Sequence, residues 1–160
     1  MEEKAALIQQ LDGAREKIQA ELIDLDQALQ VCPGWTIKHL LAHLIGWDEI
    51  ATTCLRAYSQ GHEPAIATAR DIDGYNAQAV ATREALSYNH IVKEWELARD
   101  QLKAALLAMP GQQIDVPFLY PWGPTGTVRE LVAIYVEHEL EHAAALQRLK
   151  AHHPRPAPAG

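Results

Sequence analysis

The places where this chain lacks proline decide what it can fold into. Its nine prolines are Pro33, Pro64, Pro110, Pro117, Pro121, Pro124 and three in the closing segment "HHPRPAPAG". None falls in 1–32, 65–109 or 125–153. A proline inside a helix removes a backbone donor and clashes with the preceding turn, so long helices belong in these gaps. The first gap carries Leu7, Leu11, Ala14, Ile18, Leu22, Leu25 and Leu29 at three- and four-residue spacing, which predicts an amphipathic helix of about six turns. A second helix begins after Cys32-Pro33-Gly34-Trp35, with Thr36 as N-cap. It carries Ile37, Leu40, Leu41, Leu44, Trp47 and Leu55 and ends near Gly61.

Residues 61–73 read as irregular, and a short helix is expected over about 75–86. A third long helix holds Ile91, Trp95, Ala98, Leu102, Ala105 and Met109 in phase and stops at Pro110-Gly111. Residues 111–126, "GQQIDVPFLYPWGPTG", are too rich in proline and glycine for helix, and alternation around Ile114, Val116 and Phe118 allows a small hairpin. The last long helix opens on the capping box Thr127-Val128-Arg129-Glu130 and runs to about Lys150. The expected fold is therefore all-α, a four-helix bundle. The long connection crosses over between the second and third helices. That makes the first and fourth antiparallel to the second, and the third parallel to it. Residues 1–150 read as one domain, with 48 % hydrophobic residues to fill its core, and 151–160 as a disordered tail.

Charge excludes several roles. The net charge is −7 with both signs interspersed; there is no basic stripe for nucleic acid. No apolar run is long enough to span a membrane. The acidic start "MEEKAALIQQ" is unlike a secretory signal. These features point to the cytoplasm, with Cys32 and Cys54 reduced.

The motif that poses the functional question is "VEHELEH". His138-Glu139-Leu140-Glu141-His142 satisfies the H-E-x-x-H pattern of zinc proteases. Such a site needs a third ligand beyond the helix. The position six residues past His142 is Arg148, and none of the 18 residues after His142 is Glu or Asp. No credible sheet edge exists to present a peptide. A looser pattern fits better: two histidines one turn apart within the apolar stripe Val128, Leu131, Tyr135, His138, His142, Ala145 and Leu149. Residues at i and i+4 share a face. Two imidazoles in one core both need partners, and a shared metal satisfies both.

Zinc-like metals want a third protein ligand. His62, His90, His152 and His153 lie in or near connections or in the tail, leaving His39 and His43. His43 follows the start of its helix by seven residues, and His142 precedes Lys150 by eight. Both are roughly 11 Å from those ends, level with each other if the helices are antiparallel. His39 lies on the polar side in the first turn, where it can serve the cap. Three imidazoles leave open positions, as in catalytic rather than closed structural sites, and they suit zinc, nickel, cobalt or ferrous iron.

These residues resemble the DinB-like superfamily. The resemblance rests on Trp35, Ala42-His43-Leu44 and Trp47-Asp48 in "GWTIKHLLAHLIGWDEI", and on His138 and His142 in "VRELVAIYVEHELEHAAAL". It implies a four-helix bundle with the crossover between helices two and three. It implies a divalent metal, zinc or nickel, on His43, His138 and His142, and often a homodimer. Activities in the superfamily include metal-dependent hydrolases, and transferases and isomerases that use low-molecular-weight thiols. The resemblance thus implies a small organic substrate and a thiol cosubstrate. The alternative is a non-catalytic small-molecule-binding or dimeric stress-response bundle protein.

Around the presumed site, Trp47, Asn76, Tyr120 and Trp122 are candidate pocket residues, each with a packing or loop-anchoring role as the alternative. Asp48 is a candidate acceptor for a ligand histidine. Glu137, Glu139 and Glu141 read as a solvated face, with Glu139 or Glu141 a candidate general base if the helix is rotated. Arg129 reads as surface, and Cys54 as a small apolar core residue.

Overall fold

A computed structural model describes residues 1–62 and 69–154. Among them the long helices are α1 (Glu2–Leu22), α2 (Ile37–Ser59), α4 (Tyr88–Ala108) and α5 (Val128–His152), with α3 (Ile72–Ala81) in the crossover. Two short antiparallel hairpins complete the fold. β1 (Gln30–Cys32) pairs with β2 (Trp35–Thr36), and β3 (Phe118–Leu119) with β4 (Thr125–Gly126). This is the all-α four-helix bundle with a long crossover. Residues 63–68 of the expected irregular stretch and 155–160 of the expected tail lie outside the described residues.

Helix directions follow from which ends meet. Lys4 donates to the Leu107 and Met109 carbonyls, and Arg15 to the carbonyl of Trp95, so α1 runs against α4. The start of α2 shares a cluster with Ile91 and Trp95, and its end shares one with Leu102 and Leu106, so α2 and α4 are parallel. Leu146 packs with the start of α2 and Leu131 with its end, making α5 antiparallel to it. α2 packs mainly on α4, and α1 mainly on α5.

Caps explain most boundaries. Thr127 Oγ1 accepts from the Glu130 amide at 3.1 Å, and Glu130 accepts from the Thr127 amide at 2.7 Å, the reciprocal box that opens α5. At the head of α2, His39 Nδ1 accepts from the Thr36 amide at 3.0 Å, the capping role expected of it. α3 begins at Ile72, three residues earlier than expected, because Asp71 caps it by accepting from the Gly74 amide.

The first helix has about the expected six turns but stops before the end of its leucine stripe at Leu29. It ends at Leu22, Asp24 takes a positive φ of 59°, and Asp26 accepts from the Ala28 amide. Such a side-chain turn competes with helix. Leu25 still reaches the core from the loop, so its periodicity outlasted the helix. The first hairpin was not expected. Its Pro33-Gly34 turn has Gly34 at φ 86°, a conformation an L-residue adopts at a cost.

The core is divided. One apolar cluster joins Leu7, Leu55, Leu106 and Leu131, and the other joins Ile18, Leu41, Trp95 and Leu146. Between them each long helix contributes one buried charge: Arg15, Asp48, Arg99 and Glu139, which are 1–5 % exposed. Arg99 donates to both oxygens of Asp48 at 3.0 Å and to Glu139 Oε1 at 2.6 Å. Arg15 donates to Asp48 Oδ2 at 2.9 Å and to Glu139 Oε1 at 2.7 Å. Two guanidiniums and two carboxylates make the layer neutral. Burial alone would lower the Arg99 pKa, but the two carboxylates more than reverse this and hold it above its ordinary value.

Candidate metal centre

The site lies where α2 and α5 face each other beside α3. Gly46 lets α3 approach α2 closely: a Cβ there would stand 2.7 Å from the Cβ of Ala79. The Tyr75 hydroxyl donates to the Gly46 carbonyl at 2.6 Å. This docking brings Asn76 to the side of His43.

His138 Nε2 stands 3.1 Å from His43 Nε2 and 3.0 Å from His142 Nε2. One ligand atom from each of the three rings lies within 4.8 Å of the others. Imidazole nitrogens sharing a tetrahedral cation at about 2.0–2.1 Å stand about 3.3 Å apart, so the spacing is close to that of a shared ion. Burial first, and then the His138 and His142 imidazoles, push the His43 pKa down to about 3, against a smaller raising effect of Asn76. Burial and then His138 take His142 down to about 4, and burial also lowers His138. All three rings are neutral donors at neutral pH, as ligation requires.

The tautomer of His43 follows from its neighbours. The Trp47 indole N–H, a donor only, donates to Asn76 Oδ1 at 2.7 Å. That fixes the amide orientation. Asn76 Oδ1 is also 3.0 Å from His43 Nδ1, which must therefore carry the proton. His43 Nε2 is left as a bare lone pair aimed at His138. Three facing ring nitrogens with at least one unprotonated cannot all be satisfied pairwise, and one cation satisfies all of them. Trp35, delivered by the β1–β2 hairpin, packs on the His43 ring at 5.4 Å.

A cavity of about 230 Å³ opens beside the histidines, walled by His43, Trp47, Asn76, Trp122, Tyr135 and His138, with Ile72 and Ile134 at its rim. Trp47 meets Trp122 edge-on at 5.7 Å. Three of the expected pocket residues, Trp47, Asn76 and Trp122, line it. Tyr120 does not: it packs behind Trp122 at 5.0 Å and donates to the Thr127 carbonyl at 2.7 Å, anchoring the loop.

Other expectations change. Asp48 bonds no histidine; the two arginines take both its oxygens. Glu139 is not solvated but buried in the same layer, its oxygens held by Arg15 and Arg99, so it is not free to act as a base. Glu141 is exposed and not among the lining residues. Arg129 is on the surface, paired with Asp115. Burial raises the Cys54 thiol to about 12, leaving it inert. Sequence reasoning missed Ile134 and Ile72, although each stands one turn before a site residue, His138 and Asn76, on the same helical face.

A long-helix bundle with a crossover helix, presenting three convergent imidazoles beside an apolar cavity, is a DinB-like helical protein with a candidate metal centre. The chain belongs to the mycothiol maleylpyruvate isomerase N-terminal domain family, whose model matches residues 4–147. Its fold is similar to the crystal structure of the mycothiol-dependent maleylpyruvate isomerase, with a TM-score of 0.75 at 17 % identity over 89 % of this chain and 60 % of that one. A histidine-to-alanine mutant of that enzyme gives 0.74 at 15 % identity with the same coverage. At these identities the likeness shows the fold. Uncharacterized proteins from two strains of Mycobacterium tuberculosis are each 32 % identical over 78 residues, 49 % of this chain. The matched stretch spans 30 % of the length of those curated relatives.

Proposed function

We propose that the chain holds a divalent cation of the zinc or nickel class on the Nε2 atoms of His43, His138 and His142, and acts as a thiol-dependent transferase or isomerase on a small organic electrophile. The observation that carries this is the convergence of three neutral imidazoles, one with its lone pair fixed inward by Asn76, beside an apolar cavity that His43 and His138 line. A cation bound there supplies Lewis acidity that lowers the pKa of a coordinated thiol toward neutrality.

The chain's own residues do the rest. The Trp47–Asn76 pair orients His43, and Trp47, Trp122 and Tyr135 keep water from the reacting side of the cavity. Among the described residues no carboxylate lines the cavity, so a water nucleophile would lack a general base. A coordinated thiol of lowered pKa needs none, and neither does a coordinated water; what favours thiol chemistry over hydrolysis is the match to the mycothiol maleylpyruvate isomerase N-terminal domain family. The isomerase that the fold resembles is mycothiol-dependent by name, which makes mycothiol the first thiol to test. Such chemistry belongs in a reducing compartment, so we place the protein in the cytoplasm.

The test is metal analysis of the purified protein beside its His142→Ala variant, followed by transfer assays with mycothiol, bacillithiol and glutathione against a chromogenic electrophile. About one equivalent of metal, lost in the variant, with thiol transfer abolished by chelation, is expected. Equal metal content in both proteins overturns the proposal.

A further inference from the structure

We infer that the cavity accepts a small electrophile with an uncharged, flat apolar body and discriminates against dicarboxylates. For the reaction this rests on the proposed function; for binding it stands alone. Among the described residues, no Lys or Arg lines the cavity. The cations buried among the described residues are committed elsewhere: Arg15 and Arg99 are held by Asp48 and Glu139 in the layer between the two core clusters. Two of the wall's polar groups are also engaged. Asn76 Oδ1 accepts from two donors, and the Tyr135 hydroxyl donates to the Trp47 carbonyl at 2.6 Å.

What remains is a corner of two indoles at an interplanar angle of 76°, with apolar lips formed by Ile72 and Ile134, which are 45 % and 42 % exposed. One anionic group can be met by the cation at the cavity's base. A second carboxylate would lie against Trp122 or the isoleucine lips, giving up part of its hydration with no counter-charge among the described lining residues, which is unfavourable. An aromatic or similarly planar body instead covers the indole faces and the exposed isoleucines. The cavity volume is below the roughly 300–1,000 Å³ of drug-sized sites, so the body is a single ring or its equivalent. Maleylpyruvate, named for the structurally similar enzyme, is a dicarboxylate and matches this wall poorly.

The test uses tryptophan fluorescence quenching of the full chain, metal-loaded and chelator-treated. Three nitroaromatics of one ring each serve as probes: 4-nitrobenzyl alcohol, 4-nitrobenzoate and 4-nitrophthalate. The neutral probe should bind at least about tenfold more tightly than the dianion in both states. The Ile134→Arg variant, altered at an exposed rim position, should narrow that ratio about fivefold while keeping its far-UV circular dichroism. A dianion that binds as tightly as the neutral probe, an unchanged ratio in the variant, or no binding of any probe overturns the inference. None of these readings needs turnover. A protein that lacks metal or transfers no thiol therefore defeats the functional proposal without deciding this one.

Discussion

Replacing Arg99 by Met should show how strongly the four-residue charged layer holds the bundle. Arg99 supplies five hydrogen bonds: two to Asp48, two to Glu139 and one to the Leu11 carbonyl at 3.3 Å. Its loss leaves two buried carboxylates facing the single guanidinium of Arg15, an uncompensated charge. Removing one partner of a buried pair costs about 3–5 kcal/mol, out of a total stability of roughly 5–15 kcal/mol. For a chain of this size that lowers Tm by roughly 6–20 °C. Guanidinium titrations followed by circular dichroism, with calorimetry alongside, measure it. The double variant Arg99→Met/Glu139→Gln restores neutrality, so it should be more stable than additivity predicts by about 1 kcal/mol or more. A single-variant loss below about 1 kcal/mol, or strict additivity in the double, would refute the account of the layer as a charge-balanced unit.

Three further outcomes are expected. Asn76→Ala removes the acceptor that fixes His43 and should weaken metal binding about 10- to 100-fold, read by competition with a chromogenic chelator; unchanged affinity would show that His43 orients itself. Gly46→Ala forces α3 away from α2 because its new Cβ meets Ala79 at 2.7 Å; it should cost about 1–3 kcal/mol and weaken metal binding in the same direction as Asn76→Ala. In chelator-treated protein the folded pKa values of His43 and His142, about 3 and 4, lie below the unfolded value of about 6.5. The unfolded chain therefore takes up protons first. This penalty is absent above about pH 6.5, and stability falls as pH drops from there toward 4, by up to about 3 kcal/mol for His142 alone. Denaturant titrations across that range should show a shallower fall for His142→Gln, and identical profiles would contradict the burial-driven shift.

The bundle was readable from where proline is absent and from the leucine stripes, because both are backbone constraints of helix. The depth of His43 and His142 was readable too, since 1.5 Å per residue turns sequence offset into height. The charged layer was not. Arg15, Asp48, Arg99 and Glu139 each follow a buried apolar residue by four positions (Leu11, Leu44, Trp95 and Tyr135), so each sat in the core stripe. A charge is read as solvated unless its partners are known, and each one's charged partners come from two other helices. The short strands were also hidden: two- and three-residue pairs carry no periodicity, and turn chemistry and tertiary contacts set them. The fate of Tyr120 depended on which way its loop folded, which its neighbours in the chain do not determine.

The α2–α4 and α1–α5 pairs meet midway along the bundle through guanidinium–carboxylate bonds and abutting imidazoles. Oily contacts tolerate sliding, whereas directional bonds accept a narrow range of separations. The middle of the molecule therefore works as a spacer gauge. It sets how far the two halves stand apart at the cavity mouth, and substitutions in the apolar ends can accumulate without changing that gap.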